Sequence, residues 1–175
     1  DVFYATGNHD PGSAGYRVQH LDWPDNVNLF STSNPTTYPI TDNEGRKVGL
    51  ITGAGHETNK ESRNLVGELA NEQSEWPHIA IVHAQVNSAR SAERHDRYAP
   101  CTTEDLIQGG FDYWALGHIH QQQCISENMP AYYSGNLQGR HPRETGIKGA
   151  LYAEIFPEAE VKTEFLPLSP MVWHS

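Results

Sequence analysis

The chain has 175 residues, 37% of them hydrophobic, which suits one globular unit able to bury a core. Twelve lysines and arginines stand against 22 aspartates and glutamates, and the formal charge of −10 argues against polyanion binding as an average property, since such binding runs on phosphate neutralisation and counterion release. No run of about 18 apolar residues occurs, so neither a membrane-spanning helix nor a secretory leader is read.

Taken in chain order, Val2–Thr6 is a short apolar run ending at Gly7 and predicts a buried strand that feeds a loop. Asp1 opens the chain inside this segment, so a domain incomplete at its N-terminus is expected. Gly12 to Pro35 is rich in Gly, Pro, Asn and Asp and reads as irregular or lightly helical. Thr37–Ile40 and Lys47–Thr52 read as strands around a turn at Asp42–Gly45. Asn59–Asn71, with Leu65, Val66 and Leu69 at helical spacing, predicts an amphipathic helix. His78–His83 is a continuous apolar run that predicts a buried parallel strand. Thr102 or Thr103 caps a predicted short helix through Gln108, with Glu104 and Asp105 at its positive end and Gly109–Gly110 as its stop. Tyr113–Leu116, Ala131–Tyr133, Ala150–Phe156 and Val161–Leu168 read as further strands. With no repeat, low-complexity tract or linker, residues 1–175 are read as one unit of layered α/β class. The two cysteines, Cys101 and Cys124, form neither a disulfide framework nor a zinc-finger spacing, and are expected as free thiols in a reducing, cytoplasmic setting.

Three segments share one layout, an apolar strand with His or Asn at or just past its carboxyl end. They are Gly7–Asn8–His9–Asp10, Val82–His83–Ala84 and Gly117–His118–Ile119–His120. Ligands of sheets with parallel strands gather at the carboxyl ends, so the three are expected to converge there. Imidazole nitrogens and an amide oxygen suit a borderline or hard divalent cation and need no thiolate. Taken singly, a strand-end His reads more plainly as a hydrogen-bonded surface residue, and Asn8–His9–Asp10 as a polar turn. Three such placements in one chain favour the metal. His20, His56, His78, His95, His141 and His174 belong to no such motif, although His56 follows a strand expected to end near the same place.

These motifs, in this order, resemble the calcineurin-like metallophosphoesterases. The stretches His95–Cys101, Asp112–His118 and Gly135–Gly146 are similar more narrowly to the SbcD/Mre11-type bacterial DNA repair exonucleases and their YhaO-like branch. The resemblance implies a layered β-sandwich flanked by helices, incomplete at the N-terminus and without the capping region of the nuclease branch. It implies two divalent metal ions, Mn before Fe, Zn or Mg. Asn8, His83 and His118 would hold one ion and His120 the other, with His9 beside the scissile phosphate and Asp10 in a supporting role. The Asp-x-His and Gly-Asp-x-x-Asp motifs of the family do not occur before Asn8, so this stretch is expected to bind one ion or none and to turn over little substrate. The implied activity is phosphodiester hydrolysis as a DNA exonuclease, with DNA and an SbcC/Rad50-like ATPase as partners.

Arg140 and Arg143, in the turn-rich Gly139–Lys148 segment, are candidates for contact with the DNA backbone or support of the metal-site rim; the plainer reading pairs Arg143 with Glu144 on a solvated connection. Arg90, Arg94 and Arg97 form a second basic group, read as decoration of a surface loop. Two other functions stay open: a phosphatase or small-molecule phosphodiesterase of the same superfamily, and a non-catalytic binding or scaffolding module.

Overall fold

The structure is a computed structural model that describes all residues except 14, 17–19, 72–73, 91, 93–95, 127, 157–159 and 175. Arg94 and His95 therefore lie outside the described residues. In chain order the strands are β1 (Val2–Ala5), β2 (Val27–Phe30), β3 (Thr36–Thr41), β4 (Lys47–Ala54), β5 (His78–His83), β6 (Gln85–Val86), β7 (Pro100–Cys101), β8 (Tyr113–Gly117), β9 (Gln123–Ser126), β10 (Met129–Tyr133), β11 (Gly149–Glu154) and β12 (Lys162–Pro167). Among the described residues there is one α-helix, α1 (Thr103–Gly109). None is long and apolar enough to cross a membrane.

The principal sheet has six strands in the order β3-β4-β5-β8-β10-β9. Its four central strands run parallel, and β3 and β9 close the edges antiparallel. Parallel strands are covered on both faces, which explains why His78–His83 is apolar without strict alternation. On one face Ala80, Val82, Trp114, Leu116, Ala131 and Tyr133 pack with Leu65, Val66, Leu69 and Leu106 as the main core. On the other face Ile79, Ile81, Ala115 and Tyr132 meet β1 and β11 across a cavity of about 450 Å³. The pairs β1–β2, β6–β7 and β11–β12 are separate two-stranded sheets.

Local chemistry accounts for α1. Thr102 and Asp105 form a reciprocal capping box, and Gly110 ends the helix in the left-handed conformation. The predicted helix over Asn59–Asn71 is not formed; only a 3-10 turn at Val66–Glu68 is present. Arg63 reaches back to Glu61 through its backbone and guanidinium, and the Asn64 side chain accepts from the Gly67 amide. These local bonds compete with helical ones, and Gly67 adds the entropy cost of glycine. Leu65, Val66 and Leu69 still reach the core, so the apolar pattern reported burial and not helix.

Within Gly12 to Pro35, read as irregular or lightly helical, the structure has the strand β2, whose parallel register on β1 runs from Val2↔Val27 to Ala5↔Phe30. The edge strand β9 and the two-residue strands β6 and β7 were also not expected. Cys101 is buried and Cys124 exposed, both as free thiols. Burial pushes the Cys101 thiol up to about 12, which leaves it unreactive at neutral pH.

Candidate metal centre

Register builds the site. In the parallel ladder Ala54 lies opposite Val82 and His83 opposite Gly117, so the carboxyl ends of β4, β5 and β8 finish level. His56, His83 and His118 follow from three adjacent strand ends. The His83 ring packs edge to face with His56 and with His118, each at 5.2 Å between centroids. The end of β1 is tied to the same level: the His56 amide donates to the Thr6 carbonyl at 3.0 Å, and the Gly12 amide donates to the His56 carbonyl at 2.7 Å.

From there the Gly7–Asp10 loop passes directly over His83. A Cβ on Gly7 would lie 2.6 Å from the His83 ring, and one on Gly117 would lie 3.0 Å from it, so two glycines cradle the imidazole. The Asn8 amide oxygen stands 2.9 Å from His83 Nε2 and accepts its proton in the neutral ring. Asp10 closes the loop by accepting from the Gly7 amide at 2.9 Å and from the Tyr4 hydroxyl. His9, beside Asn8, is exposed.

His83 is held neutral. Burial pushes its pKa down to about 3, and charge on His56, His118, His9 or His120 would act in the same direction. A neutral imidazole is the form that binds metal. His118 has φ 107°, a left-handed conformation that costs a non-glycine residue about 1–3 kcal/mol and marks sites where function holds the backbone. Its Nε2 faces the Asp96 carbonyl at 3.1 Å, and the Tyr98 ring packs against it at 5.9 Å. With Nε2–H donating, Nδ1 is the nitrogen with the lone pair in the neutral ring.

His120 turns toward Glu144, with Nδ1 2.8 Å from Oε1. Burial alone would raise the Glu144 carboxyl, but bonds from the Arg140 amide, His120 and Asn136 together hold it below the usual carboxylate range. Pairing of Glu144 with Arg143, the plainer reading of this segment, is replaced by these partners. Arg140 and Arg143 are exposed, whereas Lys148 is buried and its Nζ faces the His120 carbonyl at 3.4 Å. Lys148 therefore supports the His120 backbone and does not extend the basic surface. Arg90 and Arg97 are exposed.

One contributor belonged to no motif. His56 is fully buried, and its Nε2–H donates to the His83 carbonyl at 2.7 Å while its Nδ1 has no hydrogen-bond partner. It joins Thr6 and Gly12, which flank the Gly7–Asp10 loop, to His83, through its backbone on one side and its ring on the other. Its position after β4 was the available signal. Glu144 gave none, because its partner lies 24 residues away.

Among the described residues no group of three or more His, Cys, Asp or Glu side chains is placed to hold a metal ion. Asn8 is an additional donor outside that set of residue types. The Asn8 oxygen and His83 Nε2 share a proton at 2.9 Å; a cation held by both would displace that proton, with the neutral ring protonated on Nδ1 instead. The donor set of Asn8, His83 and His118, an amide oxygen and imidazole nitrogens, is of the chemical kind a borderline or hard divalent ion takes.

No protein-family profile matches the chain. It is 34% identical over 173 residues to "Uncharacterized metallophosphoesterase YhaO" of Bacillus subtilis (strain 168), a match covering 98% of this chain and 41% of that protein. The chain thus spans about two fifths of this relative's length. Its architecture, mostly sheet with few helices, is compatible with a metallophosphoesterase-like α/β fold. Similarity over nearly the whole chain supports the metallophosphoesterase family as the family of this protein.

Proposed function

We propose that this chain forms part of a divalent-metal-dependent phosphodiesterase that acts on DNA ends, within a layered sheet-on-sheet domain. The observation that carries the reading is the approach of the Gly7–Asp10 loop to His83, which brings an amide oxygen and neutral imidazoles to three adjacent strand ends. Asn8, His83 and His118 would hold one cation and His120 would serve a second. Such nitrogen and oxygen donors suit a borderline or hard divalent ion, and the resemblance to the nuclease branch puts Mn before Fe, Zn or Mg. Bound divalent ions supply Lewis-acid stabilisation of the phosphoryl charge and a more acidic water.

The chain's own residues bind and orient. Gly7 and Gly117 leave room for the His83 ring that any larger residue would take, and His56 holds the carbonyl of the same residue. Asp10 keeps the loop closed so that His9, next to a metal ligand and open to solvent, can reach a phosphate. There it would give a proton to the leaving oxygen. Exposed Arg140 and Arg143 offer backbone contacts to a nucleic acid. The similarity of Gly135–Gly146 to the exonuclease branch supports DNA as substrate and an SbcC/Rad50-like ATPase as partner. The net charge of −10 favours a second reading, a small phosphodiester or phosphomonoester.

The test uses the full-length protein, stripped of metal and reloaded with Mn²⁺. It is assayed on end-labelled DNA and on bis-p-nitrophenyl phosphate. Mn-dependent shortening of DNA that is lost in His83→Ala supports the nuclease. Turnover of the small diester with intact DNA moves the assignment to the second reading, and no metal-dependent hydrolysis of either overturns both.

A further inference from the structure

We propose that Glu144 is the positioning residue for His120, fixing its tautomer so that Nε2 carries the lone pair offered to a cation. The inference rests on the metal reading of the site above and adds to it a residue from outside the three motifs.

The geometry is specific. Glu144 Oε1 stands 2.8 Å from His120 Nδ1. A carboxylate only accepts hydrogen bonds, so the proton of this bond sits on Nδ1, and the neutral ring is left with its lone pair on Nε2. The carboxylate is itself held, because Oε2 accepts from Asn136 Nδ2 at 3.2 Å and from the Arg140 amide at 3.0 Å. The loop is anchored in turn: the Glu144 amide donates to the His141 carbonyl at 2.8 Å and the Asn136 amide to the His120 carbonyl at 3.2 Å. Lys148 Nζ approaches that same carbonyl at 3.4 Å. Ring, carboxylate and both backbones thus form a closed set of bonds with few alternative arrangements. Carboxylates placed behind ligating histidines orient the ring and raise its basicity, and removing such a partner costs roughly 10–100-fold in metal affinity. Here the carboxylate comes from a turn-rich segment whose sequence suggested a solvated connection.

Two measurements on the full-length protein test this. First, the tautomer of His120 in the metal-free wild type is read from its ring ¹⁵N shifts; a proton on Nδ1 is expected, and a proton on Nε2 overturns the proposal without any variant. Second, Mn²⁺ alone is titrated into wild type and Glu144→Gln, with thermal melting as a folding control. A folded Glu144→Gln that loses the single Nδ1–H tautomer and binds Mn²⁺ roughly 10–100-fold more weakly supports the proposal. Unchanged tautomer and affinity overturn it. Should the wild type hold Nδ1–H yet bind no Mn²⁺, the metal reading falls, and metal presentation by Glu144 falls with it. A Glu144→Gln that does not fold leaves the wild-type tautomer as the deciding result.

Discussion

Two halves of the site are built in different ways. On one side His83 and His118 are placed by sheet register and Asn8 by main-chain hydrogen bonds that tie the end of β1 to His56, with Gly7 and Gly117 close against the His83 ring. On the other His120 is placed by side chains from a turn-rich segment, through Glu144, Asn136 and Lys148. The first half borrows the rigidity of a six-stranded sheet. The second is only as rigid as a set of partly exposed polar bonds, each worth about 1 kcal/mol net. Substitutions in the first half should therefore act as steric or folding events, and those in the second as changes in electrostatics with the fold intact.

Gly7→Ala should have the largest effect. The added Cβ would fall 2.6 Å from the His83 ring, so the ring must leave Asn8. Displacements of about 1 Å at a reacting centre cost about 100-fold in rate, and steady-state hydrolysis by full-length protein should fall by at least that much. An unchanged rate would mean that His83 is not held as described. Next, His56→Ala removes a fully buried ring and its bond to the His83 carbonyl. Denaturant unfolding should show a loss of about 2–3 kcal/mol. A loss below about 0.5 kcal/mol, the range of ordinary surface changes, would deny His56 its bracing role.

Away from the site, Thr102→Ala deletes the capping box of α1 and should cost about 1 kcal/mol, with hydrolysis unaffected. Loss of activity there would blur the distinction between site and frame. The smallest effect concerns acid. Hydrogen bonds from Arg63 hold the Glu61 carboxyl below its ordinary value of 4.5. Its folded-state pKa is depressed, so the stabilisation is present above the unfolded-state value and is lost as pH falls through the folded one. Melting temperature followed through that acid range should drop more in the wild type than in Glu61→Gln, and equal slopes would remove Glu61 from the account.

Much of the frame was legible because its signals are local. His78–His83 and Tyr113–Leu116 are apolar runs between turns and became β5 and β8. Thr102, Asp105 and Gly110 define both ends of α1 within a few residues. What stayed hidden depends on distant partners. β2 exists through its parallel pairing with β1, and β9 is a polar-flanked edge strand with no apolar face to announce it. Leu65, Val66 and Leu69 suggested a helix, since spacing reports a buried side and cannot register the competing bonds of Arg63 and Asn64. The candidate site shows the same division. Residue types at strand ends singled out Asn8, His83 and His118, whereas Glu144 and the pairing of His56 with the His83 carbonyl needed the folded chain.

The central claim is that an amide oxygen and two imidazoles at neighbouring strand ends grip one divalent cation. Crystals of the full-length protein grown with Mn²⁺ and measured at the manganese absorption edge test it most directly. An anomalous peak bonded to Asn8, His83 and His118 is the predicted result. Ordered side chains at those residues with no peak among them, in crystals where Mn²⁺ is bound elsewhere, would contradict it.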